Sequence, residues 1–195
     1  MYKVIGRNAS RAFRVLWMLE ELGLDYEHDP ADPHAESVYA ADPGGKLPVL
    51  VTDEGTLWDS VAIMAFLGDR HGALTHPAGT FARARQDALT QMIVDEFDQV
   101  LWTAARHSFV LPKEHRVAGI KDSLRWEFTR NQKRFVARMG SDPFLAGDSV
   151  TIPDIVLAHC IGWAHAAKFE VTEPLLADHA ARMQDRPSFR ALTGG

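Results

Sequence analysis

At 195 residues with 46% apolar side chains, the chain can bury a real core and form one domain or two small ones, which argues against disorder. A formal net charge of −5 argues against a general affinity for nucleic acid or an anionic membrane, leaving room only for local basic patches. The single cysteine, Cys160, excludes an internal disulfide, and the absence of a signal-peptide pattern or of an apolar run near ~18 residues makes the cytoplasm the expected location.

Tyr2-Lys3-Val4-Ile5 reads as a short strand ending at Gly6, followed by a polar loop of Arg7, Asn8, Ala9 and Ser10. The period then changes. Ala12, Val15, Leu16, Leu19 and Leu22 recur at three- and four-residue spacing, which predicts an amphipathic helix. Gly23 suits a left-handed closing residue, with Leu24 packing back behind it. Tyr26-Glu27-His28 reads as a second strand, so strand, helix and strand fall within about thirty residues, as a parallel crossover unit requires.

A loop with Pro30 and Pro33 and a weakly patterned segment around Ala35–Ala40 lead to Gly44-Gly45-Lys46-Leu47-Pro48-Val49-Leu50, around which the first part is organised. A proline at the start of an apolar strand sits where its missing N–H costs no ladder bond. Two geometries are open: a trans proline starting a strand, or a cis Leu47–Pro48 bond. The cis bond would turn the Leu47 N–H and C=O outward as a docking edge for an extended, peptide-like ligand. Val49-Leu50-Val51 and Thr56-Leu57-Trp58 around Asp53-Glu54-Gly55 predict a hairpin, so the sheet is mixed. Asp59 or Ser60 then caps a helix carrying Val61, Ile63, Met64, Phe66 and Leu67, whose first turn offers unpaired backbone N–H groups.

From Gly68 to Thr80 the composition turns to Gly, His, Pro and Thr, and no strand signal remains beyond it. The expected organisation is an α/β domain over 1–70, a linker over 71–80 and an all-helical domain over 81–195. The spacing predicts a long helix from Phe81 to about Phe109, ended by Pro112, and another from Val117 to Met139. Thr151 and Asp154 form an acidic capping box, with Pro153 in the first turn and Val150 with Ile155 as a hydrophobic staple. That box predicts a buried helix through Val156, Leu157, Ile161 and Trp163, on which Cys160 is a small core residue. A last helix covers Leu175–Met183, before Arg186-Pro187-Ser188-Phe189 and a short tail. The nine histidines lack ligand spacing for zinc, so no metal is expected.

Several stretches, in this order, resemble a cytosolic-type, bacterial-like glutathione transferase over essentially the whole chain. They are Arg14-Val15-Leu16-Trp17, Leu19-Glu20-Glu21-Leu22-Gly23, Pro43 to Leu50, Asp59-Ser60, Gly147 to Asp154 and Arg182-Met183 with Arg186-Pro187-Ser188-Phe189. The resemblance implies a thioredoxin-like α/β N-terminal domain, an all-α C-terminal domain and a homodimer. It implies glutathione as co-substrate. Leu47 would bond the cysteinyl backbone beside a cis Pro48, Ser60 would hold the γ-glutamyl carboxylate at a helix N-terminus, and Asp59 would face the γ-glutamyl ammonium. Lys46 would approach the glycyl carboxylate, or is a solvated turn lysine. For activation of the sulfur, Ser10 is the first candidate and Asn8 the second; some classes would put the hydroxyl level with Ala9, leaving Ser10 as a helix cap. Trp102, Arg106 and Phe109 are candidates for a second-substrate wall between the domains, although their spacing also suits ordinary helix packing. The implied activity is attack of the glutathione thiolate on a small hydrophobic electrophile. Reduction of disulfides or peroxides in the same pocket and ligand binding without turnover are the alternatives.

Overall fold

In the computed structural model, which describes residues 1–194, the chain divides into two compact units: Met1–Thr80 with the tail from Asp185, and Phe81–Gln184. The first unit is a mixed four-stranded sheet with helices. Its strands are β1 (Tyr2–Ile5), β2 (Tyr26–Asp29), β3 (Val49–Thr52) and β4 (Gly55–Trp58), in spatial order β2-β1-β3-β4. β1 pairs parallel with β2 and antiparallel with β3, and β3 pairs antiparallel with β4. The crossover from β1 to β2 is helix α1 (Ala12–Leu22), closed by Gly23 at φ 63° with the Leu24 N–H on the Leu19 carbonyl. A short α2 (Glu36–Ala41) occupies the weakly patterned stretch, and α3 (Ser60–His71) follows the hairpin and extends one residue into the expected linker.

Register fixes what these elements present. Ile5 pairs with Val49, and Val49 with Trp58, so the end of β1, the start of β3 and the end of β4 lie at one edge of the sheet. The segments beyond them are the Gly6–Arg11 loop, Lys46–Pro48 and Asp59–Ser60, and they emerge at that same edge.

α1 is buried on more than one face: Ala12 through Leu19 are all buried, including Phe13, Arg14 and Trp17, which lie off the apolar stripe. The reason is the tail. The sequence assigns 81–195 to one helical domain, but the last segment packs in the first unit, where α9 (Pro187–Thr193) lies on α1. Arg186 makes a bidentate bond to Glu21 at 2.6 and 2.7 Å, Trp17 Nε1 donates to Ser188 Oγ at 3.2 Å, and the Phe189 ring sits edge-on to Trp17 at 4.8 Å. Pro187 in the first turn of α9 is the signal that this tail is helical.

In the second unit, the expected single long helix contains two π-turns. It runs as α4 (Phe81–Ile93), a π-turn over Val94–Asp98, α5 (Gln99–Ala105) and a second π-turn over Arg106–Val110. Each π-turn rotates the following residues relative to an α-helical face, and Asn131 Nδ2 bonds the Glu96 carbonyl of the first at 2.8 Å. α6 covers Ile120–Val136, shorter at both ends than its periodicity suggests. Phe97, Phe128, Phe135 and Phe169 meet edge-on at 5.4–5.5 Å as the centre of this core. α7 (Ile152–Ala166) starts at the capping box and buries Cys160; α8 (Pro174–Gln184) packs on it. Trp163, expected in this core, is half-buried.

Candidate active site

The loop after β1 is anchored at its base. The Gly6 N–H bonds the Asp29 carbonyl at 2.8 Å, the Arg7 N–H bonds the Ala31 carbonyl at 3.2 Å, and the Arg7 guanidinium pairs with Asp32 at 2.7 Å. Gly6 has φ 140°, and a Cβ there would sit 2.8 Å from the Ala12 Cβ and 3.4 Å from the Leu47 side chain. Only glycine lets the loop lie this close against Leu47. Within the loop, Ser10 Oγ donates to the Arg7 carbonyl at 2.7 Å and accepts from the Ala12 N–H at 3.1 Å. Its hydroxyl therefore caps the start of α1, where the Phe13 and Arg14 N–H groups find the Ser10 and Arg11 carbonyls. Asn8 is exposed, with Nδ2 at 3.5 Å from the Leu192 carbonyl.

The Leu47–Pro48 peptide is cis. Pro48 and Val49 are buried and Leu47 is half-buried; neither the N–H nor the C=O of Leu47 has a hydrogen-bond partner among the described residues. Lys46 is exposed and makes no ion pair among the described residues. The turn before it is braced by a pair the sequence did not single out. Tyr39 OH bonds His34 Nδ1 at 3.0 Å, the His34 N–H bonds the Gly45 carbonyl at 3.1 Å, and a Cβ on Gly45 would meet Tyr39 at 2.6 Å.

The third segment turns from β4 into α3. Asp59 is the N-cap: its Oδ1 accepts from the Val61 and Ala62 N–H groups at 2.9 and 3.0 Å, at a φ of 68° that disfavours a non-glycine residue. Ser60 is 2% exposed, and its N–H has no partner among the described residues. Its Oγ accepts from Nη1 of the buried Arg14 on α1 at 3.4 Å. One edge of the sheet thus offers an unpaired peptide group at Leu47, an unpaired N–H at a helix N-terminus and a carboxylate beside it. That is the donor and acceptor set for a short peptide with a free carboxylate and ammonium.

Comparison with known proteins bears on the family and the fold. Residues 10–70 match the family model of the glutathione S-transferase N-terminal domain. Along its length the chain is similar to glutathione S-transferases. It is similar to glutathione S-transferase GstA of Escherichia coli O157:H7, 26% identical over 180 residues that cover 87% of this chain and 86% of that protein. Its fold matches a glutathione transferase from Methylococcus capsulatus with a TM-score of 0.86 at 23% identity, over 100% of this chain and 98% of the other. It matches a sphingomonad glutathione S-transferase complexed with glutathione at a TM-score of 0.85 and 21% identity, over 98% and 97% of the two chains. The sheet with its helices is the thioredoxin-like part of this family fold and the second unit its helical part. Among the described residues no helix is long and apolar enough to cross a membrane.

The other expected site residues lie in the second unit. Trp102 is on α5 and half-buried, Arg106 opens the second π-turn, and Phe109 is 69% exposed. Arg106 Nε is buried with no hydrogen-bond partner among the described residues. The turn's end is fixed by a residue the sequence reading missed: Arg116 donates to the Leu111, Ser108 and Phe109 carbonyls at 2.7, 3.1 and 3.0 Å. Lys113, His115 and Arg116 all follow Pro112, and no pattern in the sequence singles out Arg116 among them.

Proposed function

We propose that this chain is a glutathione transferase that binds glutathione at the Leu47, Asp59 and Ser60 edge of the sheet and attacks a small hydrophobic electrophile with its thiolate. The observation that carries this reading is the coincidence, at one sheet edge, of the unpartnered Leu47 peptide and the unpartnered Ser60 N–H. Leu47 pairs with the cysteinyl backbone, the Ser60 N–H and hydroxyl take the γ-glutamyl carboxylate, the remaining Asp59 oxygen faces the ammonium, and Lys46 approaches the glycyl carboxylate. A pocket that hydrogen-bonds both ends of the tripeptide holds the sulfur beside the loop that carries Ser10 and Asn8.

A thiol of ordinary pKa near 8.5 is only about 3% ionised at neutral pH, and lowering it by two units, for about 2.7 kcal/mol, makes it about three-quarters thiolate. Ser10 supplies part of this by turning its O–H from the Arg7 carbonyl to the sulfur, and the N-terminus of α1 supplies more. The Asn8 amide is the alternative donor. The sulfur then forms a bond to carbon, and the leaving group departs with the electron pair or, for an activated alkene, the adjacent carbon takes a proton. Trp102, Arg106 and Phe109 form the wall for the electrophile, and the working form is a homodimer. Binding without turnover is the second reading, favoured by the commitment of the Ser10 proton to the Arg7 carbonyl.

The test is calorimetric titration with glutathione together with thiolate absorbance across pH, for wild type and Ser10→Ala. The expected result is saturable binding with a depressed thiol pKa that rises in Ser10→Ala while binding survives. A depressed pKa that persists in Ser10→Ala assigns the activation to Asn8 or the helix terminus. An unshifted thiol in wild type favours binding without turnover, and no binding at millimolar glutathione overturns the reading.

A further inference from the structure

We propose that Arg14 is a positioning residue for the carboxylate end of the ligand: buried behind Ser60, it orients and polarises the Ser60 hydroxyl so that its one hydrogen points to the γ-glutamyl carboxylate. This rests on the glutathione reading above. Arg14 lies on α1 and is 1% exposed, so its guanidinium is withdrawn from solvent and held by protein groups. Its Nη1 donates to Ser60 Oγ at 3.4 Å, joining the first turns of α1 and α3 across 46 positions of sequence.

The chemistry follows from the inventory of a hydroxyl, which has one hydrogen and two lone pairs. With a lone pair taken by the guanidinium, the hydrogen is left to donate, and no acceptor for it lies among the described residues. Donation from a cation strengthens the bond that the hydroxyl makes in turn. Ser60 then presents two parallel donors, O–H and N–H, at the N-terminus of the twelve-residue helix α3. Two donors match the two oxygens of a carboxylate, and the charge behind them favours an anion over a neutral group. Through Ser60, Arg14 acts on ligands that carry this carboxylate.

The experiment measures binding of glutathione and of γ-aminobutyryl-cysteinyl-glycine, which lacks that carboxylate, to wild type, Arg14→Met, Arg14→Lys, Ser60→Ala and the Arg14→Met/Ser60→Ala double variant. Arg14→Met should weaken glutathione about tenfold and leave the analogue within about twofold, Arg14→Lys should recover part of the loss, and Arg14→Met should add little in the Ser60→Ala background. Equal losses for both ligands, or full additivity with Ser60→Ala, overturn the proposal while glutathione binding by wild type stands. No binding by wild type overturns both readings. Should Arg14→Met fail to fold, the nitrogen-15 resonances of the Arg14 side chain in wild type decide. They should shift with glutathione and not with the analogue, and an identical response to both overturns the proposal.

Discussion

Asp59 combines a favourable interaction with an unfavourable backbone. Its Oδ1 caps α3 through two N–H groups, yet its φ of 68° is one that glycine adopts far more readily. Substitution separates the two effects. Asp59→Ala should lose about 1 kcal/mol of capping and keep the strain, whereas Asp59→Gly loses only a few tenths as a cap and relieves the backbone. The Gly variant should therefore unfold at higher urea than the Ala variant, and both should bind glutathione more weakly than wild type. Equal midpoints for the two would mean that the backbone is not strained. The Asp59-Ser60 pair was legible in the sequence because an acidic residue and a serine before an apolar period are capping chemistry. The left-handed φ was not, since it is imposed by the path from edge strand to helix. Nor was Arg14, which is buried where α3 brings Ser60 against α1.

At the scale of elements, what the sequence revealed were segments whose period and end signals agree. α1, the hairpin and the start of α7 stand where Gly23, Asp53-Glu54-Gly55 and Thr151 put them, while the π-turns and α9 were hidden because one extra residue or one short turn leaves the period nearly intact. The capping box is the firmest of these signals. Asp154 accepts from the Thr151 N–H and hydroxyl, the Leu145 N–H and His179 Nε2, all at 2.8–2.9 Å and all buried. Thr151→Ala should cost about 1 kcal/mol and Asp154→Ala about 3 kcal/mol, because the second strands several buried donors. Urea titrations that place the two variants level would refute this ordering. The tail contact carries a pH dependence. Burial pushes the Glu21 carboxyl up, but bonds from Arg186, Ser188 and Trp17 outweigh it and hold the group below its ordinary value of 4.5. A depressed folded-state value means the stabilisation is complete above the unfolded value and is lost as pH falls through the folded one. Glu21→Gln should melt several degrees below wild type at pH 7, with the gap closing below about pH 4.5. A gap that does not narrow at all as pH falls below 4.5 would contradict the ionic origin of this contact.

At the scale of the whole chain, the first unit is made from the two ends of the sequence: Met1–Thr80 supplies the sheet and the last residues from Asp185 supply a cover for α1. The domain boundary at 195 that composition suggests fails for this reason, since nothing in a run of helices says which of them returns. The cover is specific. Phe189 meets both Phe13, at 5.5 Å, and Trp17, at 4.8 Å, and Trp17 and Glu21 bond Ser188 and Arg186. Burying one large aromatic side chain contributes about 1.5–3 kcal/mol, and the charge-assisted bonds add to it, so removing the tail should cost the first unit on the order of 3 kcal/mol. That corresponds to roughly a hundredfold rise in the opening of α1. A chain ending at Gln184 should therefore show hydrogen exchange at the α1 amides about a hundredfold faster than the full chain. The α7 amides, within the other unit, should keep their protection. Because Arg14 stands on this helix and Ser10 caps its start, glutathione binding should weaken in the same truncated chain. Loss of protection in both units alike would show that the tail stabilises the molecule generally, and unchanged exchange in α1 would show that the sheet alone holds the helix.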